Sequence, residues 1–531
     1  MAVPAAASVR DANLYRPPQV SGLADLLDRQ VRERPSARAL VVTGARVQLS
    51  YGALAALADD VAARLGGAGL RPGDAVGLIC ANTAEFVVGL LGAARAGLVA
   101  APLDPALPEP QLAARVDGLG ARAVLFDTAV SGAVALPVPA WPLRVDVSGA
   151  GTATVVLETT ACEEFRGERQ GAAAAGELSE RDALVLFTAG TTARAKMVPL
   201  THANVAASVQ NICAGYELGP GDATVAVMPL FHGHGLFAAL LASLASGGCV
   251  LLPERGRFSA GTFWDDMRAA GATWFTAVPA IHEILLERSE RDHPGPQATP
   301  LKFVRSCSAP LNTATQRALE RTFGAPLLSA YGMTESTHQA TSEPLPQRGA
   351  LRQGSVGRPT GVEVRITDGN GRPCPAGVEG EVWVQGPTVA RGYLADPEES
   401  ARTFVDGWLR TGDLGTLDED GYLSLTGRLK NLINRGGEKI SPEHVEDILA
   451  GCPGVAQAAV FAVPDAVYGQ RVGAAVVVRE GDGAGRAEIL RYCRDHLAPF
   501  EVPDRLEVVA ALPYTAKGGL DRKAVQARYA R

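Results

Sequence analysis

A loop rich in threonine and glycine, ending in a lysine, follows an apolar segment near residue 190. Residues 183–187 predict a short buried strand, and residues 188–196 continue it as TAGTTARAK. Backbone amides and hydroxyls in such a loop, here those of Thr191 and Thr192, can surround phosphate oxygens. The loop is not a Walker loop, because the lysine spacing and the following Met197 do not match that pattern. The sequence therefore predicts a polyphosphate site of another type.

Five further strings of glycine, aromatic and charged residues follow in order along the chain. Each alone is weak evidence, since short glycine-rich strings recur by chance. Their order along one chain argues against chance, and together with residues 188–202 they resemble the adenylate-forming superfamily of acyl-CoA synthetases, peptide-synthetase adenylation domains and luciferases. The strings are YGMTE at 331–335, WLRTGD at 408–413, GRLK at 427–430, RGGEKI at 435–440 and PYTAKGGLDR at 513–522.

Within that superfamily the chain resembles oxalate-CoA ligases in particular. The similarity spans nearly the whole chain after the segment that leads into Thr188. It implies an AMP-forming ligase that uses ATP and Mg²⁺ to activate a small acid, such as a dicarboxylate, as its adenylate, and passes it to a nucleophile. The residues that carry this resemblance are VMPLFHGHG at 227–235, GRFSA at 256–260, FVRSCSA at 303–309 and LINRGGEKISP at 432–442.

The resemblance also implies roles for single residues. Tyr331 would stack on adenine through its aromatic face, and Thr334 would meet the α-phosphate. Glu335 would hold Mg²⁺, which prefers carboxylate oxygen, and Asp413 would accept from both ribose hydroxyls with help from Arg428. The implied catalytic residues are Thr191, Thr192, Lys196, Glu335 and Lys517, and the implied cofactor-binding residues are Thr188, Gly190, Tyr331, Gly332, Thr334, Asp413, Arg428, Lys430, Gly436, Gly437 and Lys439.

The acid pocket is assigned by the same resemblance. Arg305 in such a pocket suits a small anion through charge-assisted hydrogen bonds, and a structural ion pair is the alternative. His232 and His234 lack a third ligand motif nearby, so zinc is not predicted, and Cys307 is interpreted as a packing residue. The implied pocket residues are His232, His234, Arg305, Ser306, Cys307, Ser308, Met333, Thr337 and His338.

The phosphate loop departs from the family pattern at four positions. Ala189 replaces serine, Ala193 replaces glycine or serine, Ala195 replaces proline, and Met197 replaces glycine. These changes remove a hydroxyl donor and residues that shape the loop.

The C-terminal string departs where the family has its catalytic lysine. Gly519 occupies that position, and Lys517 stands two residues earlier. Removing one donor to a developing negative charge typically costs about 3 kcal/mol of transition-state stabilisation. Lys517 can replace that donor only if the loop shifts by two residues, and the glycines beside it permit such a shift.

Three functions remain open at this point. The acceptor is CoA in an acyl-CoA synthetase, or an amine. A diazotase-like enzyme of this superfamily activates nitrite with ATP to act on an aromatic amine, and a small-anion pocket is compatible with that. A catalytically impaired relative that binds nucleotide or acyl-adenylate is the third interpretation, which the retained Glu335, Asp413 and Arg428 disfavour.

Composition is consistent with a globular enzyme. The 531 residues are 47% hydrophobic, carry a net charge of −7 and suffice for two or three domains. That charge argues against a nucleic-acid partner, and no signal peptide or membrane-spanning segment is predicted. Eight cysteines without a C-x-x-C pair favour reduced thiols. We expect a cytoplasmic protein with no membrane partner.

Helix and strand patterns alternate along the first half. Residues 54–65 predict a helix and 74–80 a strand, and Asn82 with Glu85 resembles a capping box. Residues 236–252 predict a buried helix followed by a strand, and residues 145–180 the most mobile stretch.

The fold class predicted is α/β, with parallel sheets covered by helices on both faces. A small β-barrel-like region is expected at residues 361–422. We predict a large N-terminal domain at 1–427 and a small mobile α+β domain at 428–531, with a hinge near Lys430. Gly436 and Gly437 fit a loop that closes on the second substrate.

Overall fold

The computed structural model describes residues 15, 17–42, 46–128, 136–148, 152–159, 178–188, 195–479, 484–515 and 519–530. Helices and strands alternate through these ranges. The helices are α1 Asp28–Glu33, α2 Tyr51–Gly67, α3 Ala84–Arg95, α4 Glu109–Leu119, α5 His202–Tyr216, α6 Ala242–Ser246, α7 Phe263–Ala270, α8 Pro279–Glu287, α9 Ser289–Asp292, α10 Thr313–Phe323, α11 Pro397–Thr403, α12 Pro442–Gly451, α13 Arg486–His496 and α14 Arg522–Tyr529.

The strands form five sheets in the described ranges. They are β1 Arg38–Val42, β2 Val47–Ser50, β3 Ala75–Ile79, β4 Val99–Leu103, β5 Ala123–Asp127, β6 Ala140–Val147, β7 Ala153–Leu157, β8 Asp182–Thr188, β9 Lys196–Thr201, β10 Ala223–Val225, β11 Cys249–Leu252, β12 Trp274–Ala277, β13 Phe303–Ser306, β14 Leu327–Tyr331, β15 Thr341–Ser342, β16 Arg358–Pro359, β17 Glu363–Thr367, β18 Gly380–Gln385, β19 Phe404–Val405, β20 Trp408–Leu417, β21 Leu423–Arg428, β22 Ile433–Arg435, β23 Glu438–Ile440, β24 Val455–Asp465, β25 Gly469–Val478 and β26 Arg505–Val508.

The largest sheet has seven strands in the order β7-β6-β5-β3-β4-β8-β9. Its central strands are parallel, and β7 and β9 are antiparallel at the two edges. Parallel strands buried on both faces are continuously apolar, as β3 is. The predicted helix and strand at 54–65 and 74–80 are confirmed as α2 and β3.

Two further sheets complete the layered α/β part, in the orders β10-β11-β1-β2 and β12-β13-β14-β15-β16. Strands β12, β13 and β14 are parallel, and Thr276 is the register partner of Arg305. The carboxyl ends of such strands are where ligands bind in open α/β sheets. A π-helix, His234–Leu241, precedes α6 and β11, which confirms the helix-then-strand prediction for residues 236–252.

Residues 361–422 are rich in strands, as predicted. Strands β17, β18, β20 and β19 form an antiparallel sheet in that order, and β21 also pairs with β20. In that pairing Asp413 lies opposite Arg428. The α/β fold class is confirmed.

The last sheet has the order β23-β22-β25-β24, with β26 beside β25, and consists of residues after 428. Its apolar side chains pack against α12, α13 and α14 in two clusters that also lie after 428. The boundary at residue 427 and the hinge near Lys430 stay predictions. In the described ranges no helix is long and apolar enough to cross a membrane.

One local prediction was wrong, the capping box formed by Asn82 and Glu85. Helix α3 begins at Ala84 after Thr83 without a side-chain cap, and Glu85 accepts a hydrogen bond from the Val145 amide at 2.9 Å instead. Asn82 is turned away from the helix. The described part of the predicted mobile stretch at 145–180 includes most of the β6–β7 hairpin, while residues 149–151 and 160–177 lie outside the described ranges. The mobility of this stretch stays a prediction.

Asn82 instead forms hydrogen bonds with the backbone of the segment that precedes the π-helix. Its Nδ2 donates to the carbonyls of Ala226 and Met228, at 2.7 and 2.9 Å, and its Oδ1 accepts from the Leu230 amide at 2.8 Å. The side chain is buried. We expect Asn82→Ala to lower the free energy of unfolding by about 2–4 kcal/mol, because buried polar groups lose their partners. Urea unfolding followed by fluorescence measures this. The exposed Asn370→Ala is the control, and equal midpoints for the two variants would contradict the assignment.

Candidate active site

An aspartate, a tyrosine and an arginine meet where the sheet of β20 approaches the end of β14. Tyr331 Oη donates to Asp413 Oδ2 at 2.7 Å, and Arg428 Nε lies 2.6 Å from Asp413 Oδ1. Asp413 is 4% exposed, and burial raises the pKa of its carboxyl while Arg428 opposes that rise. A carboxylate offers about four lone-pair sites, so Asp413 retains acceptor capacity for hydroxyls.

A second cluster of side chains, both charged and aromatic, lies around Glu335. Tyr393 Oη donates to Glu335 Oε1 at 2.8 Å, and Lys196 Nζ lies 4.6 Å from the centre of the Tyr393 ring. Lys196 is ion-paired with Glu399, and this contact lowers the pKa of the Glu399 carboxyl. Burial raises the pKa of Glu335. The predicted Lys196 therefore lies beside the predicted metal ligand, held by a glutamate from α11.

The donor set at Glu335 fits a magnesium ion shared with a nucleotide. In the described residues the side-chain donor that bonds to Glu335 is Tyr393, and it uses Oε1, which leaves Oε2 for a cation. No group of three or more potential metal-ligating side chains occurs in the same ranges. Mg²⁺ is usually held by one or two carboxylates together with phosphate oxygens and water. Glu335 is therefore suited to such a shared site.

A tight turn joins these groups to the acid pocket. Thr337 and His338 have φ values of 50° and 79°, and the carbonyl oxygen of His338 would lie 1.7 Å from a Cβ placed on Gly332. Glycine at 332 is therefore required by the turn itself. Thr334 begins a short 3₁₀ helix, Thr334–Ser336, and the Thr337 hydroxyl donates to the Thr388 carbonyl at 2.5 Å.

Arg305 lies at the centre of the predicted acid pocket and is fully buried. In the described ranges no carboxylate pairs with it, so the ion-pair alternative is not what the structure contains. It donates instead to four uncharged acceptors. These are Tyr216 Oη at 2.8 Å, Thr276 Oγ1 at 3.0 Å, His338 Nε2 at 3.1 Å and Gln339 Oε1 at 2.9 Å.

Two histidines stack beside this guanidinium. The rings of His234 and His338 have centroids 5.3 Å apart and planes inclined by 21°. His234 Nε2 lies 2.6 Å from Thr276 Oγ1, and its Nδ1 lies 3.1 Å from Ser308 Oγ. Burial, and then the charge of Arg305, lower the pKa of both imidazoles well below the usual value. Both rings are neutral near pH 7.

The remaining predicted pocket residues differ in exposure. Ser306 ends β13 and is buried, and its hydroxyl has no hydrogen-bond partner in the described residues. Cys307 is buried, as expected of a packing residue. Ser308 is exposed and has a φ of 73°. Met333 and His232 are half-buried, and the His232 ring packs edge-on against Phe231.

The predicted cofactor residues after 428 lie at the surface. Lys430 is near Asp413 and Arg428, and crowding by protein atoms, followed by the charge of Arg428, lowers the pKa of its ammonium. Gly436 and Gly437 have φ values of 60° and 102°, a conformation that favours glycine. Lys439 lines a cleft of about 860 Å³ with residues of the β17–β21 sheet and of α12.

The described residues of the C-terminal string, 513–515 and 519–522, are held together near the altered lysine position. The Thr515 amide donates to the Gly519 carbonyl at 2.8 Å, and Arg522 is bound through both terminal nitrogens to Glu446, at 2.8 and 2.7 Å. Among the residues that the structure describes, a Cβ on Gly519 would meet only the Thr515 hydroxyl, at 3.8 Å. The predicted residues Gly190, Thr191, Thr192 and Lys517 lie outside the described ranges, and Thr188 ends β8 at their border.

The family is decided by two family models that match in order. The model of the AMP-binding enzyme covers residues 27–394, and the model of the AMP-binding enzyme C-terminal domain covers residues 444–518. The chain belongs to the AMP-binding enzyme family. It is therefore an AMP-forming ligase of the acyl-CoA synthetase type.

Individual relatives agree with this. The chain is 42% identical to an oxalate-CoA ligase of Arabidopsis thaliana, over 95% of this chain and 98% of that one. It is 35% identical to a sulfoacetate-CoA ligase of Cupriavidus necator, over 94% and 96%. Among solved structures, ATP-bound MatB from Rhodopseudomonas palustris matches with a TM-score of 0.79 and 30% identity, over 94% of this chain and 98% of that one.

Sequence reasoning missed several residues that hold the site together. Tyr393 and Glu399 orient Glu335 and Lys196, and Tyr216 and Thr276 bind Arg305. None lies in a quoted motif. Strand register could have indicated Thr276, because parallel partners in adjacent strands point to the same face, but the register itself was not predictable from the sequence.

We expect Asp413→Asn to weaken AMP binding at least tenfold, because the variant loses the charged acceptor and leaves Arg428 without its partner. Isothermal titration calorimetry with AMP measures the change. Asp420→Asn is the matched control, since Asp420 is exposed and pairs with Arg352 at the surface. Unchanged AMP affinity in Asp413→Asn would remove Asp413 from the nucleotide site.

Proposed function

We propose that this ligase activates a small dianionic acid, of the oxalate or sulfoacetate class, and transfers it to CoA. The two acids are those named for relatives at 42% and 35% identity. Both are short and carry a second acidic group besides the carboxylate that reacts. A nitrite-activating enzyme would also need an anion pocket, so nitrite belongs in the test.

The observation that carries the proposal is the buried, unpaired charge of Arg305. A buried ion without a counter-charge is strongly unfavourable in a protein interior. Hydrogen bonds to four neutral acceptors stabilise the guanidinium, but they do not neutralise it. An anionic group of the substrate in this pocket would supply the missing negative charge.

The same lining disfavours long apolar acids. His234 and His338 stack beside Arg305, and Ser308 is bonded to His234. An acyl tail placed there would leave polar groups without partners, which costs free energy. We therefore infer a site that discriminates by charge at the distal end of the acid.

The chemistry proposed is attack of the acid's carboxylate on the α-phosphorus of ATP, which forms acyl-adenylate and releases pyrophosphate. Mg²⁺ held by Glu335 would offset charge on the phosphate oxygens. Tyr331 and Asp413 would position the nucleoside, and Thr334 the α-phosphate. Lys196, with Thr191 and Thr192, would contact the polyphosphate, so these residues act chiefly by orienting charge.

In the second step the CoA thiolate attacks the acyl carbonyl and AMP leaves. We propose that residues 428–531 rotate near Lys430 and bring Gly436 and Gly437 to the pantetheine path. Their exposure and positive φ values support a backbone that a ligand can approach closely. Lys439 would lie beside the same path. The free, mostly buried cysteines of the described ranges support a reducing, cytoplasmic setting.

We expect oxalate or sulfoacetate, with CoA and Mg²⁺, to release pyrophosphate at least tenfold faster than acetate or palmitate does. The physical reason is the second negative group of the acid, which would accept hydrogen bonds from residues that surround the charged Arg305. Pyrophosphate and AMP are measured for each acid with and without CoA.

Nitrite with an aryl amine is run as a separate arm of that screen. Turnover there, with none for the dianions plus CoA, would replace the proposal by diazotisation. Efficient turnover of palmitate would contradict the charge-selective pocket.

A second test concerns the lysine position. The turn is anchored on both sides, because Tyr514 pairs with Leu520 and Arg522 binds Glu446. A two-residue shift would break these contacts. We therefore expect Gly519→Lys to raise AMP formation up to roughly a hundredfold, and Lys517→Ala to change it little.

A Cβ at position 519 meets no described atom closer than 3.8 Å, so a folded Gly519→Lys variant is expected. Gly519→Gln is the matched control, since it adds a side chain of similar length without charge. The opposite pattern, with Lys517→Ala inactive and Gly519→Lys unchanged, would show that Lys517 has taken over the task.

A further inference from the structure

In each hydrogen bond around Arg305, the chemistry of the side chains determines which atom donates and which accepts. A guanidinium has five N–H donors and no acceptor. His338 Nε2, 3.1 Å from Arg305 Nη2, must therefore accept, which leaves the proton of the neutral ring on Nδ1. In the described residues His338 Nδ1 has no hydrogen-bond partner, so this N–H is available to a ligand.

The Thr276 hydroxyl links Arg305 to His234 by accepting one hydrogen bond and donating the next. Its hydroxyl accepts from Arg305 Nη1 at 3.0 Å and lies 2.6 Å from His234 Nε2. Thr276 is fully buried, and its own proton has no other acceptor in the described residues. A buried donor is expected to be satisfied, so Thr276 donates to His234 Nε2.

The proton of His234 is then on Nδ1 and is donated to Ser308 Oγ at 3.1 Å. Ser308 is exposed and keeps its own hydroxyl proton for an outside acceptor. The two stacked rings both turn their Nε2 edges toward Arg305 and Thr276. Their Nδ1 edges, with Ser308, consequently lie on the ligand side.

We propose that Arg305 is a positioning residue that never touches the acid, but fixes His234 and His338 as Nδ1–H tautomers so that His338 and Ser308 both present donors to it. The inference rests on the proposed function for the identity of the ligand only. Arg305 acts on His234 through the Thr276 hydroxyl, and on His338 through a direct hydrogen bond. A carboxylate or sulfonate, which only accepts, matches these donors.

The tautomers are measured by long-range ¹H–¹⁵N correlation on the full-length protein labelled with ¹⁵N-histidine, without any acid present. Eight histidines occur in the chain, and His234→Gln and His338→Gln assign the two signals by loss. We expect both rings as Nδ1–H tautomers from pH 6 to 8. An Nε2–H tautomer or an imidazolium at either position in the parent protein would overturn the proposal.

Thr276→Val removes the connecting hydroxyl while keeping the side-chain shape. We expect His234, but not His338, to shift toward the Nε2–H tautomer, and the KM for the dianionic acid to rise roughly tenfold with kcat nearly unchanged, since one hydrogen bond to a charged group is weakened. Thr276→Ser, which retains the hydroxyl, should restore both properties. Unchanged His234 signals in Thr276→Val would contradict the relay.

The two proposals fail in different ways. If no dianionic acid supports pyrophosphate release, the proposed function fails while the parent tautomer pattern still decides the relay. If the acids react but the tautomers are wrong, the relay alone fails. Should Thr276→Val not fold, Arg305→Lys serves as the second variant, since it keeps the charge but replaces the separate Nη1 and Nη2 donors to Thr276 and His338 by one nitrogen. We expect at least one of the two histidines to lose its Nδ1–H tautomer in this variant, and unchanged signals from both would contradict the relay.

Discussion

The active site depends on a buried cation whose counter-charge the described protein does not provide. Arg305 is fully enclosed, and four of its five N–H donors bond to a tyrosine, a threonine, a histidine and a glutamine. Burial, and then the charge of Arg305, lower the pKa of the neighbouring imidazoles, because a second positive charge in a buried site is unfavourable. The hydrogen bonds also explain why β12 and β13 must keep their register, since Thr276 can reach both Arg305 and His234 only from its present place. The fold around the pocket is therefore constrained by electrostatics as well as by packing.

Much of the fold was predictable because hydrophobic periodicity is local. Helix α2 and strand β3 appeared with boundaries a few residues from those expected, and the motifs placed Tyr331, Glu335 and Asp413 in one site. The capping box at Asn82 failed because a tertiary partner, the segment at 226–230, binds that side chain instead. Local patterns cannot show such competition between near and distant partners.

The supporting residues were harder to predict for a related reason. Tyr393 lies between strands, Glu399 lies in helix α11, and Thr276 lies in strand β12, and each acts on a residue that is distant in sequence. Nothing in their immediate sequence distinguishes them from ordinary polar residues. The motif residues were recognised by their order along the chain. The supporting residues can be recognised only from the tertiary structure, which brings distant segments together. The predicted residues at 190–192 and 517 lie outside the described ranges, so their roles rest on the sequence.

The close approach of the His338 carbonyl to Gly332 joins residues predicted to meet the nucleotide and residues predicted to meet the acid in one tight turn. The segment from 332 to 338 carries Thr334 and Glu335, the predicted phosphate-side residues, and His338, a predicted acid-pocket residue, and a side chain at 332 would collide with the His338 carbonyl. A substitution at His338 that changes the preferred acid would therefore also change nucleotide binding. Diversification of specificity within such a scaffold should therefore begin at the separate loop of Ser308, which engineers can alter while the ATP site stays as it is.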